Sequence, residues 1–190
     1  MSTATPASQA NKDLVFLKPD TDAGLSLFAG SVKVNVPNAD MSRAVRLLRM
    51  PQVTVKNEAD MSRTKSRIAG NPEFYHVVCD TVIDKSTIAA FNCVTSGANI
   101  GDVSIYQMIT GAGQIKILSQ ITLSNTFITE VRIKFDLAHD EATSEGLTAT
   151  YVLAYDKLTQ IRNIYDESDT AAGKQGSQAD RRHQISDVAG

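Results

Sequence analysis

The chain has 190 residues, 42% of them hydrophobic and 21% charged, with a formal net charge of −2. These values suit one globular domain with a substantial core and exclude a highly charged disordered chain. They give no global reason to expect nucleic acid or an anionic membrane as a partner.

Residues 1–23 read as a flexible N-terminal arm, where Ser, Thr, Ala, Asp and Pro surround the short apolar stretch "LVFL". No apolar run in the first twenty residues is long enough for a signal peptide, and no later run approaches a membrane span. A soluble protein made in the cytosol is therefore expected. Residues 24–190 read as a single domain. Strand patterns begin at "LSLFAGSVKVNV", where Val32, Val34 and Val36 share a face. "AVRLLRMPQVTV" is a second extended stretch, with Pro51 marking a break or an edge. Residues 57–72 are polar and basic and end in Gly-Asn-Pro, the composition of an extended loop.

"FYHVVCDTVI" alternates, with Tyr75, Val77, Cys79, Thr81 and Ile83 on one face and His76 and Asp80 on the other. From Ser86 the spacing becomes helical. Asp84 suits the N-cap, Gly97 suits the left-handed position after the last turn, and Ile88, Ala90, Phe91 and Val94 fall on one arc opposite Asn92 and Ser96. A single helix of about three turns is a lid or plug on a β body, not a core of its own. "VSIYQMI" and "QIKILSQITL" flank "TGAGQ", a hairpin signal.

Odd positions then stay mainly apolar through Ile115, Ile117, Ile121, Leu123, Phe127, Val131, Ile133 and Phe135. Extended, Ile115 to Leu137 would span roughly 75 Å at about 3.3 Å per residue, so the chain must bend near Ser124–Thr126 while keeping one face inward. Such bending predicts a small β-barrel or curled sandwich of antiparallel strands. After the acidic loop "AHDEATSEG", Leu147, Ala149, Tyr151, Leu153 and Tyr155 alternate within a long strand. Residues from about 165 to 180 read as a flexible polar stretch, and "RRHQISDV" as a last short strand. The expected class is all-β with one short α-helix.

No catalytic, cofactor-binding or metal-ligating residues emerge. His76, His139 and His183 sit in three unrelated contexts without metal-ligand spacing, and "TGAGQ" lies between strands, where a hairpin needs glycine anyway. Cys79 and Cys93 read as buried structural thiols. The segment from Arg43 to Arg67 is basic but lacks aromatic residues for base stacking, which argues against nucleic acid. It suits instead an acidic surface of another copy, such as one bearing "DLAHDE" or "YDESD". "ADMSR" occurs at Ala39–Arg43 and again at Ala59–Arg63, too short to establish a repeat.

The order of elements resembles the Hcp family, the inner-tube protein of the type VI secretion system. A strand ends in "VIDKST", a helix "IAAFNCVTSG" follows, then "VSIYQM", a glycine hairpin, "LSQITLSNTFITEV", an acidic loop and "TATYVLAYDKL". Ile83, Asp84, Lys85, Ser86, Thr87, Ser96, Gly97, Ile121, Leu123 and Tyr151 carry the match, which covers about Leu25 to Val188. Ile88 stands where the family usually has proline, and the chain has no Trp, the marks of a divergent member.

The resemblance implies a tube-forming barrel, not an enzyme, that assembles as a ring of six and stacks into a tube. It also implies sheath, spike and effector proteins as partners, and release from the cell without a cleaved leader. A bacteriophage tail-tube protein and a ligand-binding barrel are the competing readings.

Overall fold

The structure, a computed structural model, describes residues 14–32, 34–36, 39–57, 72–111, 114–135, 147–165, 171–180 and 186–189. Its strands are β1 (Leu14–Pro19), β2 (Asn35–Val36), β3 (Ala39–Asp40), β4 (Val45–Leu47), β5 (Val55–Asn57), β6 (Pro72–Phe74), β7 (Val77–Val82), β8 (Asn99–Gly111), β9 (Gln114–Phe135), β10 (Leu147–Ala154), β11 (Lys157–Tyr165), β12 (Ala171–Asp180) and β13 (Ser186–Ala189). Its helices are α1 (Asp22–Leu27) and α2 (Lys85–Ser96).

In the main sheet the strands run β10-β7-β4-β1-β8-β9, and a further β9–β10 pairing closes them into a six-stranded barrel. Every pairing around the ring is antiparallel. Closure removes the exposed edges that an open sheet would carry. From β9 the sheet continues through β11, β12 and β13 as a wing outside the barrel. The all-β reading therefore holds.

Residues 14–19, expected within a flexible arm, are instead a central strand. β1 lies between β4 and β8 and is buried on both faces. Val15 and Leu17 point into the barrel, while Phe16 joins a second apolar cluster outside it with Val36, Met41, Ala44 and Met108. Burial on both sides explains why "LVFL" is a continuous apolar run with no alternation. The β2–β3 hairpin covers that outer cluster, and Val32 and Val34 pack against it. The face expected for Val32, Val34 and Val36 is correct. Their strand does not begin at Leu25, however, because Asp22–Leu27 is a second helix. The Thr21 hydroxyl caps it by accepting the Gly24 N–H at 3.1 Å.

Lys18 fastens the hairpin to the barrel, its ammonium donating to the backbone carbonyl and the carboxylate of Asp40. Ser42 donates to the Asp40 carboxylate from hydroxyl and amide, and with Lys18 beside it the carboxyl pKa is held at about 2, below the usual value. A depressed folded-state pKa stabilises the fold above the unfolded value of about 3.9 and loses that contribution as pH falls toward 2. A pH titration by NMR should give Asp40 the low midpoint, and Lys18→Met should raise it.

β9 changes the face it presents three times. At Leu118 the β8 register shifts, so Ile115 and Ile117 pack with the outer cluster while Ile121 and Leu123 enter the barrel. At Asn125, whose φ is 56°, the inward set moves to Thr126 and Ile128. Around Thr129 a bulge opposite Val152/Leu153 returns Val131 to the core side. The predicted bend at Ser124–Thr126 is present, but the expectation of a single inward face is not met. Each extra residue in a ladder inverts the alternation after it. The bends let one strand serve β8 and β11 with its first half and β10 with its second.

Two further expectations are corrected. The long strand from Leu147 breaks at Tyr155–Asp156 into β10 and β11, where the Asp156 N–H donates to Ser124 O at 3.0 Å. Residues 171–180, expected to be flexible, pair with β11 on one side and β13 on the other. Their Gly- and Gln-rich sequence has little strand propensity; two neighbouring ladders supply the hydrogen bonds that hold it. The predicted last strand is present as Ser186–Ala189. The root of the predicted 57–72 loop is the two-stranded β5–β6 ladder, and residues 58–71 lie outside the described residues.

Candidate functional site

Helix α2 follows β7 directly and begins as the sequence dictates. Asp84 is the N-cap, its carboxylate accepting the Ser86 N–H at 2.8 Å, and its other oxygen accepts the hydroxyl and N–H of Ser31. Gly97 closes the helix at φ 62°, with its N–H directed to Val94 O and the Ala98 N–H to Cys93 O.

Inside, the Tyr151 hydroxyl lies 2.9 Å from Ser86 Oγ and 3.1 Å from Thr87 Oγ1, and its ring packs edge-on against Phe28 at 5.6 Å. Burial pushes the Tyr151 phenol pKa up, with the two hydroxyls opposing the shift. "DKST" and Tyr151 are thus the joint between helix and barrel.

The helix phase differs from expectation. Its buried face is Ser86, Thr87, Ala90 and Cys93, and Ile88 and Phe91 point outward, 70% and 41% exposed. Ala90 and Val94 face the core side as predicted. Sequence reasoning put the largest apolar residues inward, whereas the joint with Tyr151 requires hydroxyls there. The outer stripe of Ile88, Phe91 and Thr95 bears no charge.

A second outward surface is the wall of β4, β7 and β10. Val78, Val82 and Leu147 are exposed there, around Asp80, which accepts from Arg49 and from Thr150 Oγ1 at 2.8 Å. Beside this wall lies a half-open groove of about 560 Å³, lined by Arg49, Met50, Pro51, Gln52, Thr54, His76 and Val78. The basic segment is partly used within the chain: Arg43 donates to Leu25 O at 2.6 Å and Arg49 pairs with Asp80 at 2.7 Å.

Cys79 and Cys93 are both free and buried, and burial drives both thiol pKa values up. Among the described residues no three His, Cys, Asp or Glu side chains are grouped to hold a metal ion, and His139 and His183 lie outside those residues. Both surfaces offer contact areas, the helix stripe through Ile88 and Phe91 and the wall through Val78, Val82 and Leu147.

A family model, "Type VI secretion system effector, Hcp", matches residues 37–160, about two thirds of the chain. The chain belongs to the Hcp family. The matched span contains every barrel strand except β1. Among solved structures, the chain is similar in fold to "Structure of a type six secretion system protein", at TM-score 0.75 and 14% identity, covering 92% of this chain and 99% of that one. Hcp1 from Salmonella typhimurium is similar at TM-score 0.65, 14% identity, and 92% and 99% coverage. Hcp3 from Pseudomonas aeruginosa, a secreted protein, is similar at TM-score 0.54, 17% identity, and 88% and 97% coverage. A search of curated protein sequences finds no match. As an Hcp protein the chain is a structural component of the type VI inner tube, in a family of ring-forming, secreted tube proteins. The tail-tube and ligand-barrel alternatives are not favoured.

Proposed function

We propose that six copies of this chain close into a ring and that the rings stack into the inner tube. On this reading the tube sits inside a contractile sheath beneath a spike protein and carries effectors in its lumen. The protein is made in the cytosol and leaves with the tube, uncleaved. It performs no catalysis. Residues 24–190, with β1 joined to them, act as the tube-forming unit, and the arm before β1 and the 57–72 loop serve as contacts. The family match across the barrel strands carries this reading. A closed barrel with Ile88 and Phe91 exposed side by side on its helix supports it, because neighbouring exposed apolar side chains suit an association surface.

Negative-stain microscopy of the purified protein should show six-fold rings, and deletion of the sheath should abolish release of full-length chain. Monomers at high concentration, or release that persists without the sheath, would overturn the reading. In urea denaturation Ile88→Asp is expected to change stability by no more than about 0.5 kcal/mol, because its side chain already meets water, and Phe91→Asp, whose ring is partly covered, to cost about 1–2 kcal/mol without unfolding the protein. Each should shift the protein from rings to monomers in light scattering. Unfolding by Phe91→Asp would instead mean that this helix face is buried in the monomer.

A further inference from the structure

Exposed large hydrophobic side chains are unevenly spread over this molecule. Those of the described residues lie on α1, β5, β7, α2, β10 and the connections that follow β4 and β6. Among the described side chains none lies on β8, β9, β11 or β12. These four are consecutive strands of the main sheet, with β1 on one flank and β13 on the other. At about 4.8 Å between strands, the six together make a face about 24 Å wide.

Register aligns one polar row across the four strands: Ser104, Thr122, Thr159 and Gln178. It stands on the side away from the core, because Val103, Ile105, Ile121 and Leu123 alternate with it and turn inward. Ser104 is covered, and Thr122, Thr159 and Gln178 are partly exposed. Ser104 Oγ and Thr122 Oγ1 lie 3.0 Å apart, and the Gln120 amide donates to both, at 3.1 and 3.3 Å. On one side the next row is Tyr106, Gln120, Ile161 and Gly176, with Ile161 half-buried. On the other it is Ser124, Lys157 and Asp180, one charge of each sign. At the β1 flank the charges are held within the chain, Lys18 by Asp40 and Asp20 by the Ser104 hydroxyl at 2.7 Å.

In a tube enclosed by a sheath, each copy meets ring neighbours at its flanks, the adjoining rings at its ends and the sheath on its outer side. Those contacts are strengthened by excluding water from apolar side chains. The wall of the lumen alone has no fixed partner. It has to stay wetted and adhere weakly to what passes, which suits hydroxyls and amides whose hydrogen bonds water can replace. We infer that the outward face of β8, β9, β11 and β12, marked by Ser104, Thr122, Thr159 and Gln178, is the wall of the lumen. The inference rests on the tube reading and adds which side of the chain faces the axis. Protein cargo then passes hydroxyls and amides, and the exposed apolar side chains of the other segments are left for contacts between subunits and with the sheath.

The test attaches a maleimide-bearing gold cluster to two full-length variants, Thr159→Cys and Gln178→Cys, made separately. Cys79 and Cys93 are buried, so the label reports the new thiol, and wild-type protein treated alike should carry none. In electron micrographs of rings viewed down the axis, gold should lie inside the central hole at least tenfold more often than on the rim, for both variants. Gold on the rim or between neighbouring subunits would overturn the assignment and leave the tube reading standing. Failure of both variants to form rings where the wild-type protein does would put this face in a subunit contact and overturn it too. Absence of rings from the wild-type protein would end the tube reading and the assignment with it.

Discussion

Replacing Tyr151 by alanine should nearly unfold the protein. The side chain is fully buried, stacks edge-on against Phe28 and meets Ser86 and Thr87, so one residue ties β10, α2 and the segment after α1 together. Large-to-small substitution of a buried aromatic costs about 3–5 kcal/mol, set against a total of roughly 5–15 for a domain. Tyr151→Phe keeps the ring and loses only the hydroxyl. Ser86 retains Asp84 as a partner, so about 1 kcal/mol is expected. Urea denaturation of the two variants should separate these values clearly. Equal losses would mean that the hydroxyl contacts, not the ring, hold the helix.

Gly30→Ala should be the second severe change. A Cβ at Gly30 would lie 2.1 Å from Ala44 O and 2.5 Å from its carbonyl carbon. Both are backbone atoms in a segment held by Gly30 N–H to Arg43 O at 2.7 Å and Val32 N–H to Ala44 O at 3.1 Å. No side chain can rotate away to make room. The residues covering the outer cluster must separate from β4, at about 3 kcal/mol. Gly97→Ala provides the comparison. Nothing lies within 4 Å of its Cβ, and only the left-handed φ of 62° opposes the change, at about 1–2 kcal/mol. Thermal unfolding should rank Gly30→Ala well below Gly97→Ala; the reverse order would show that the 30–44 contact is loose.

Much of the fold was legible in local pattern. Val77, Cys79 and Thr81 alternate inward as read, because β7 has one face on the core and one outward, and period two then writes burial directly into sequence. The ends of α2 were legible for the same reason: Asp84 and Gly97 satisfy backbone groups within a few residues of themselves. The order of these elements also carried the family.

Tertiary structure alone decided the rest. β1 could not be told from an arm, since a strand buried on both faces has no alternation and its partners lie 28 to 94 residues away, from Leu17 with Val45 to Leu14 with Met108. α1 was hidden because six residues hold too little period to outvote the apolar spacing of "LSLF", although Thr21 and Asp22 marked its start. The facing of α2 was misread because hydrophobicity ranks Ile88 and Phe91 above Ser86 and Thr87. Only the approach of Tyr151, 64 and 65 residues away, makes hydroxyls the inward choice. Bulges at Leu118, Asn125 and Thr129 likewise depend on which strands lie alongside β9. Amino-acid sequence determined what each segment could form by itself; packing between distant segments determined which face turned inward, because a buried polar group is decided by its partner and not by its own hydropathy.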